Sequence, residues 1–192
     1  MSKRKNTTSS IPSKTPKHWS LGLIASMKDP NSIIKNTEKV VVIKDKYPKA
    51  KVHYLVLPHE EINSIYKLNK SHISLLEEFG NIFKELKEEN ESELRAGFHA
   101  IPSMQRMHMH VISTDMISTS LKTKIHWNSF CTKFFIPYDE LLQELKDIGN
   151  IRKIPSELHT SLMKTPLQCN QCSFKPKNMP ELKDHLLKHQ LL

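Results

Sequence analysis

The chain has 192 residues, with 29 lysines and arginines against 20 acidic residues, so its formal net charge at pH 7 is +9. This length allows one ordinary domain and a small appendage, and a hydrophobic content of 38% is enough for a core, which excludes wholesale disorder. The sequence has no apolar run of ~18 residues and no apolar stretch behind its basic N-terminus. We therefore expect neither a membrane-spanning helix nor a secretory signal, and the positive charge favours a polyanionic partner.

Residues 1–16 are rich in lysine, serine and threonine and contain no acid, which predicts a basic flexible tail before a main domain over 17–150. A short helix is expected over 19–27, ending at Asp29-Pro30. Strands are predicted over residues 40–43, 53–57, 94–100, 106–113 and 129–136. Amphipathic helices are predicted over residues 71–89 and 138–148. This order of elements predicts an α+β fold with an antiparallel meander and a long helix packed on one face.

The C-terminal region over 165–192 contains a metal-ligand pattern, after a linker over 151–164. Four potential ligands have the spacing of a tetrahedral zinc site: Cys169, Cys172, His185 and His189. Because protein side chains would fill all four positions, we expect one structural zinc ion per chain in a C2H2-type finger. Phe174 and Leu182 are the expected finger core. With three cysteines in the chain, a metal site in a reducing compartment is favoured over a disulfide framework.

The chemistry of the main domain is expected in residues 97–113. Alternate side chains of a strand share a face, which places Arg106, His108 and His110 on one exposed ridge, with Met107 and the following methionine and valine on the core side. Imidazole can attack phosphorus or donate a hydrogen bond, and guanidinium pairs with phosphate oxygens, so the ridge suits a phosphate. Two histidines on a solvated strand are the alternative from residue types alone.

Several segments resemble the histidine-triad family, with its signature His-φ-His-φ-His-φ-φ, and in particular the aprataxin branch of that family. The segments are HWS at 18–20, VVVIKDKYPKA at 40–50, LVLP at 55–58, FHAIPSM at 98–104, HMHVIS at 108–113, HWNSF at 126–130, and the finger. The resemblance covers about residues 17–192. It implies an α+β fold with an antiparallel histidine-triad sheet and packed helices, followed by a small C2H2-type zinc finger.

The resemblance also implies a reaction, the removal of AMP from a 5′-phosphate that abortive ligation leaves on DNA. His108 matches the middle histidine of the triad and would be the nucleophile that carries a covalent AMP, which water then hydrolyses. His110 would orient and hydrogen-bond the phosphate, and His99 would give a proton to the leaving DNA phosphate. Ser103 would contact phosphate. No catalytic metal is expected, because side chains supply the positive charge.

Further matched positions are assigned to substrate and DNA binding. Lys122 and Lys124 are expected to hold DNA or the pyrophosphate, and neither is singled out. His53 would face the adenosine pocket, with a partly buried strand histidine as the alternative. Trp19 and Leu23 resemble a wedge that stacks on the terminal base pair, a contact that can contribute ~1–3 kcal/mol per base. For Trp19 the alternative is an amphipathic helix that caps the sheet.

Arg106 departs from the family pattern, since it stands where the first histidine of the triad is usual. Its guanidinium stays charged and can still bind phosphate oxygens, so it is kept as a substrate-binding residue. Any role that needs a neutral ring or a shuttled proton is lost, which puts the rate in doubt more than the reaction type. Trp127 is expected in the core, and Cys131 is expected to be a small buried hydrophobic side chain.

Three functions remain open. The first is a DNA 5′-adenylate hydrolase of the nucleus, with the cytoplasm as a second compartment; it would release AMP from nicked or double-stranded DNA or from RNA–DNA junctions. The second is a nucleic-acid end-binding module with an altered triad, and the third is a general histidine-triad nucleotide phosphoramidase. The finger and the charge of +9 argue against the third. The set His108, His110 and His99 argues against the second. No membrane partner is expected, and no protein partner is predicted.

Overall fold

Six antiparallel strands form one sheet in the computed structural model, which describes residues 22–191. The strands are β1 (Ile33–Asn36), β2 (Val40–Lys44), β3 (His53–Pro58), β4 (Leu94–His99), β5 (Met109–Ser113) and β6 (Phe135–Pro137). The helices are α1 (Gly22–Ser26), α2 (Ile73–Glu88), α3 (Lys124–Cys131), α4 (Tyr138–Ile148), α5 (Ser156–Lys164) and α6 (Met179–Lys188). Within this range no helix is long and apolar enough to cross a membrane.

The strand order places β5 at the centre of the sheet. The order is β1-β2-β3-β5-β4-β6, so β5 pairs with β3 on one side and with β4 on the other. His110 of β5 lies opposite Leu55 and Gly97 of these two neighbours. A Cβ on Gly97 would come within 2.5 Å of the carbonyl oxygen of Ile136 and 2.6 Å of the Phe135 ring. Glycine is therefore required for the close approach of β6 to β4.

Helices α2 and α4 cover one face of the sheet. The apolar side of α2 recurs at three- and four-residue steps and buries Leu75, Leu76, Phe79, Ile82 and Leu86. These side chains pack against alternate strand positions, including Val40, Val42, Val56, Met109 and Val111. The Tyr138 hydroxyl of α4 donates to the carbonyl oxygen of Leu76 at 2.8 Å. Gly149 ends α4 in the left-handed region at φ 84°. The other face carries a second set of apolar strand residues together with the histidines described below.

That other face lies under α1 and α3. Leu23 of α1 packs with Val41, Ile43, Leu55 and Leu57. The indole of Trp127 and the ring of Phe130, three positions apart on α3, are both buried over the middle of the sheet. Helix α3 begins where the Thr123 hydroxyl accepts a hydrogen bond from the His126 amide at 3.1 Å, an N-cap that satisfies an end amide of the helix. The sheet thus has a covered second face.

The C-terminal region shares a hydrophobic core with the main domain. One cluster contains Ile112, Trp127, Phe130 and Phe135 together with Leu167, Met179, Leu182 and Leu186 of the C-terminal region. The Asn128 amide, 1% exposed, donates to the carbonyl oxygens of Met163 at 3.0 Å and Thr165 at 2.9 Å. Buried hydrogen bonds of this kind cost free energy when one partner is lost. The finger region is therefore held to α3 by both apolar and polar contacts.

The α+β fold with an antiparallel sheet and packed helices is confirmed, but several predicted boundaries are wrong. Helix α3 occupies the start of the strand predicted over 129–136, because a Thr123 cap and the 127/130 spacing favour a helix. The strand predicted over 106–113 begins only at Met109, since Arg106 has φ 78° and breaks the extended backbone. Strand β1 was missed, and the interval 151–164 contains α5.

Candidate active site and zinc site

Four histidines lie together on the second face of the sheet. His53, His99 and His110 belong to β3, β4 and β5, and His108 directly precedes β5. The ring centroids lie 5.2 Å apart for His53 and His110, 4.3 Å for His99 and His110, and 4.8 Å for His108 and His110. Phe130 of α3 meets the His110 ring edge-on at 5.1 Å and the His99 ring at 4.6 Å. His110 is therefore the centre of a cluster that α3 encloses.

A chain of hydrogen bonds sets the orientation of the His110 ring. The backbone amide of Lys49 donates to His53 Nδ1 at 3.1 Å, and His53 Nε2 lies 3.0 Å from His110 Nδ1. Burial, the largest cause, lowers the pKa of His53 to about 4, so this ring is neutral at pH 7. Since its Nδ1 accepts, its Nε2–H donates to His110. His110 then carries its own proton on Nε2, which is buried without a partner among the described residues.

The His108 ring has the opposite tautomer requirement. Its Nδ1 lies 2.9 Å from the carbonyl oxygen of Arg106, a pure acceptor, so Nδ1 carries the proton and Nε2 keeps its lone pair. Burial lowers the pKa of His108, while the hydrogen bond to the Arg106 carbonyl and the Asp45 charge raise it less. A neutral imidazole with a free Nε2 lone pair is the reactive form of a histidine nucleophile.

His99 is neutral in this state. It is half-buried, but its Nε2 is fully buried and has no partner among residues 22–191. Burial, the largest cause, holds the pKa of His99 well below its usual value, and repulsion from His108 and His53 in their protonated forms lowers it further. The ring can therefore donate a hydrogen bond but is not an imidazolium acid. A bound phosphate, being anionic, would raise this pKa again.

The four predicted zinc ligands converge. Candidate donor atoms of Cys169, Cys172, His185 and His189 all lie within 4.8 Å of one another. Cys172 Sγ is 3.1 Å from His185 Nε2, and Cys169 Sγ is 3.5 Å from His189 Nε2. In a tetrahedral zinc site sulfur and nitrogen donors are roughly 3.5 Å apart, so two thiolates and two imidazoles in this arrangement fit zinc. Phe174 stacks on His185 at 4.1 Å, and Leu182 is fully buried, as expected for the finger core.

A second group, Asp45, His53 and His110, also has donor atoms within 4.8 Å of one another. Three of its four ring nitrogens are already engaged, because the Lys49 amide donates to His53 Nδ1 and His53 Nε2 donates to His110 Nδ1. Asp45 Oδ2 lies 3.4 Å from His53 Nδ1 and its other oxygen accepts from the Tyr47 amide at 2.7 Å. These contacts form a chain of hydrogen bonds, and we do not assign a metal ion to this group.

Comparisons with known proteins place this arrangement in a family. The sequence matches the family described as scavenger mRNA decapping enzyme C-terminal binding over residues 18–126, and the C2HE/C2H2/C2HC zinc-binding finger over residues 131–190. The aprataxin-like protein of Schizosaccharomyces pombe is 30% identical over 185 residues, which cover 85% of this chain and 76% of that protein. This chain belongs to the aprataxin family. The resemblance and the finger expected from the sequence are thereby confirmed.

Other members of the aprataxin family agree in sequence and structure. The aprataxin-like protein of Drosophila melanogaster is 49% identical over 174 residues, and aprataxin of Ciona intestinalis is 46% identical over 177. These matches cover about 90% of this chain but only 26% and 46% of the two relatives. The crystal structure of the aprataxin ortholog Hnt3 in complex with DNA matches with a TM-score of 0.71 and 26% identity, covering 89% of this chain and 94% of that chain.

One residue expected at the substrate points elsewhere. Arg106 Nη1 donates to the carbonyl oxygens of His59 at 3.0 Å and Glu60 at 2.7 Å, so the guanidinium fork faces a loop instead of the histidines. Leu23 is 4% exposed and packs on the sheet, and its part in a wedge on the terminal base pair stays a prediction. Trp19 lies outside the described residues. The exposed ridge predicted for His108 and His110 is wrong, because both are buried.

The remaining assigned residues lie in segments that precede or connect the elements of the cluster. Ser103 is exposed in the connection between β4 and β5. Lys122 is exposed and Lys124 is half-buried at the start of α3, whose Phe130 covers the histidines. Trp127 is in the core, as predicted. Cys131 is half-buried, and burial raises the pKa of its thiol to about 11, so it is an inert side chain.

Lys49 is the site residue that the sequence interpretation missed. Its backbone amide anchors His53, and its charge lowers the pKa of His53, His99 and His110. Burial in turn lowers the pKa of Lys49, partly offset by Asp45. The residue lies in the VVVIKDKYPKA segment that carried the family resemblance. The sequence did show that Lys49 lies in a turn four residues before His53, which indicates that the two residues are close in space.

Proposed function

We propose that this chain is a DNA-processing hydrolase that removes AMP from 5′-adenylated DNA ends left by abortive ligation. The observation that carries the proposal is the pairing of opposite tautomers in one enclosed cluster. His108 offers a lone pair on Nε2, and His110 offers a proton on Nε2, with ring centroids 4.8 Å apart. A nucleophile and a phosphate-directed donor are thus available side by side.

In the first step His108 Nε2 attacks the phosphorus of the AMP group, and the bond between that phosphorus and the bridging oxygen breaks. The oxygen leaves with the DNA 5′-phosphate, and AMP remains bonded to His108. In the second step water attacks the same phosphorus, the P–N bond breaks, and AMP leaves with the added oxygen while the His108 lone pair is restored. The His110 Nε2–H donates to a non-bridging oxygen in both steps. His99 donates to the leaving phosphate oxygen.

Positive charge near the cluster supports an anionic substrate. Lys49 is close enough to lower the pKa of three of the histidines, and Lys122 and Lys124 lie at the start of the covering helix. The net charge of the chain is +9. The Hnt3 ortholog is described in complex with DNA. We assign the basic residues to the DNA backbone and the pyrophosphate, which they hold without reading bases.

The finger supplies a structural zinc site in this proposal. Cys169, Cys172, His185 and His189 hold one zinc ion, which keeps α6 and the cysteine turn packed against α3. We also assign the chain to the nucleus, with the cytoplasm as a second compartment, and include RNA–DNA junctions among its substrates. These assignments rest on the family and on the basic tail over 1–16.

Incubation with a nicked duplex that carries a 5′-adenylate tests the function directly. The full chain is expected to release AMP, and a mild, acid-free quench followed by mass spectrometry should find AMP on His108. His108→Ala should lose turnover by roughly three orders of magnitude or more while retaining DNA affinity. His59→Ala, which removes an exposed histidine outside the cluster, is the matched control. DNA binding without AMP release by the wild-type chain would favour the end-binding module instead.

A further inference from the structure

Arg106 has an unusual backbone and an unusual set of contacts. Its φ of 78° makes it one of two non-glycine residues with positive φ among those described, the other being Met116. Left-handed backbone is disfavoured for a residue with a Cβ and persists only where surrounding contacts hold it. Arg106 lies two positions before His108, so the contacts that hold its backbone also act close to the proposed nucleophile.

Those contacts come from the segment over 59–62. Arg106 as a whole is 7% exposed. Its guanidinium donates to the carbonyl oxygens of His59 and Glu60 and lies 3.6 Å from the Glu61 carboxylate. The next residue, Met107, donates its backbone amide to the carbonyl oxygen of Ile62 at 2.7 Å. The side chain and the following amide thus fix the Arg106 peptide to one segment from two sides.

These contacts fix the direction of the Arg106 carbonyl oxygen. It accepts the hydrogen bond from His108 Nδ1 at 2.9 Å, the contact that leaves Nε2 with its lone pair. The direction of a carbonyl follows from the backbone angles of its own residue. An ordinary right-handed or extended Arg106 would turn this oxygen away from the ring, and neither His108 nitrogen would then be selected as the protonated one.

The charge of Arg106, in contrast, is not directed at the histidines. Lys49 and Asp45 shift the pKa values within the cluster, whereas Arg106 affects His108 only through its carbonyl. The guanidinium is occupied by neutral carbonyls and an exposed carboxylate. One donor, Arg106 Nε, is buried without a partner among the described residues. Phosphate binding by this nitrogen is thus the alternative that an experiment must separate.

We propose that Arg106 is a positioning residue, whose guanidinium holds a left-handed backbone so that the Arg106 carbonyl selects the Nε2-reactive tautomer of His108. The consequence for rate rests on the proposed function, but the tautomer itself does not. Arg106, which replaces the first histidine of the triad, then acts on His108 through its main-chain carbonyl. Its side chain serves to hold that main chain in place.

Substitutions at residue 106 separate the backbone from the side chain. Arg106→Ala removes the anchor and keeps the Cβ penalty at positive φ, whereas Arg106→Gly removes the anchor but tolerates the left-handed conformation. Arg106→Lys keeps the charge but lacks the planar fork that reaches two carbonyls. Arg152→Ala is the matched control, since it removes an exposed arginine that pairs with Glu144 on the edge of the opposite face.

The first readout is the tautomer of His108 in the full chain without substrate, measured by two-bond ¹⁵N–¹H NMR of ¹⁵N-histidine protein at pH 7.5. Wild type and Arg152→Ala should show His108 protonated at Nδ1. Arg106→Ala should show a mixture of tautomers, and Arg106→Gly should lie between the two. An unchanged Nδ1–H tautomer in both folded Arg106 variants would overturn the proposal, whether or not the chain releases AMP. Should Arg106→Ala not fold, Arg106→Gly and Arg106→Lys decide the question.

The second readout divides kcat from KM on a 5′-adenylated nicked duplex. A positioning role lowers kcat by about 10- to 100-fold, the range found for groups that orient a reactive ligand, with KM and salt dependence little changed. Arg106→Lys should behave like Arg106→Gly, because charge alone does not aim the carbonyl. A rise in KM with a flatter salt dependence and a normal tautomer would assign Arg106 Nε to the phosphate and reject the proposal.

Discussion

The indole nitrogen of Trp127 donates a hydrogen bond to the carbonyl oxygen of Gln168 at 3.2 Å. The donor belongs to the helix that covers the histidine cluster, and the acceptor directly precedes the zinc ligand Cys169. The same tryptophan shares a hydrophobic cluster with Leu182 of the finger helix. The finger therefore stabilises the helix that covers the histidine cluster.

Zinc removal is accordingly expected to destabilise the main domain as well as the finger. Chelation, or Cys172→Ala, should release α6 and expose the Trp127 environment, so tryptophan fluorescence and thermal unfolding should both change, in a Trp19→Phe background that leaves one probe. Elemental analysis should find one zinc ion per chain. Cys131→Ala, which removes a cysteine outside the ligand set, should retain the metal. A main domain with an unchanged melting temperature after metal loss would contradict the shared core.

Asn128 provides a second test of the same junction. Its buried amide donates to two carbonyl oxygens, so Asn128→Ala leaves both without their donor. The free energy of unfolding should fall by about 1–3 kcal/mol in urea titrations. The control is Asn170→Ala, because the exposed Asn170 amide donates to the carbonyl oxygen of Thr114 and water can replace it. Equal decreases in the free energy of unfolding for the two variants would contradict a larger contribution from the buried Asn128 hydrogen bonds.

How far the site could be predicted from the sequence depends on which contacts are local. The zinc ligands follow from spacing, and strand alternation correctly separates His108 and His110 from the core residue Met109. The enclosure of the histidines could not be predicted, because Phe130 reaches them from a distant segment whose short apolar run fits a strand or a helix. The inverted backbone of Arg106 was also hidden, since non-glycine residues rarely adopt positive φ.

Buried histidines also predict that stability depends on pH. The pKa of His53 is about 4 in the folded chain and 6.5 in the unfolded chain, so between these values the unfolded state binds more protons. Stability is complete above pH 6.5 and falls as pH decreases toward 4. For His53 alone the loss approaches roughly 3 kcal/mol, and the lowered pKa values of His99, His108 and His110 act in the same direction.

Urea titrations at pH 7.5, 6.0 and 5.0 measure this dependence. His53→Gln keeps an amide donor toward His110 and does not titrate, so its stability should depend less steeply on pH. The zinc ligands also protonate in this range, and comparison of the two proteins at equal zinc occupancy removes their contribution. Parallel pH profiles for wild type and His53→Gln would show that His53 is not buried as a neutral ring.

Binding to the DNA backbone predicts a strong response to salt. If Lys122 contacts a phosphate, Lys122→Ala should weaken affinity about equally for unrelated duplex sequences and reduce the slope of log affinity against log salt by about 1. Lys124→Ala, tested in parallel, decides which of the two lysines makes the contact. Lys146→Ala is the control, because Lys146 pairs with Glu77 on the α2 and α4 side of the sheet. A strong preference among duplex sequences would contradict backbone binding.

His99 is assigned to the first step of the proposed reaction, the departure of the DNA 5′-phosphate. Its ring lies 4.3 Å from His110 and is held neutral by burial, so it can donate a hydrogen bond to the departing DNA phosphate without first being an imidazolium. His99→Ala should slow the first step, in which the DNA 5′-phosphate leaves and AMP is transferred to His108, by roughly 10²–10³-fold in single-turnover experiments, the range for loss of a positioned hydrogen-bond donor. AMP labelling of His108 should slow to the same extent, because both products come from one cleavage of the P–O bond. His99→Gln restores an N–H donor that cannot titrate. If hydrogen bonding to the leaving oxygen is the function of His99, this variant should recover part of the rate, with a flatter dependence on acid pH than wild type. Equal rates for His99→Ala and wild type in rapid-quench experiments would remove His99 from the mechanism.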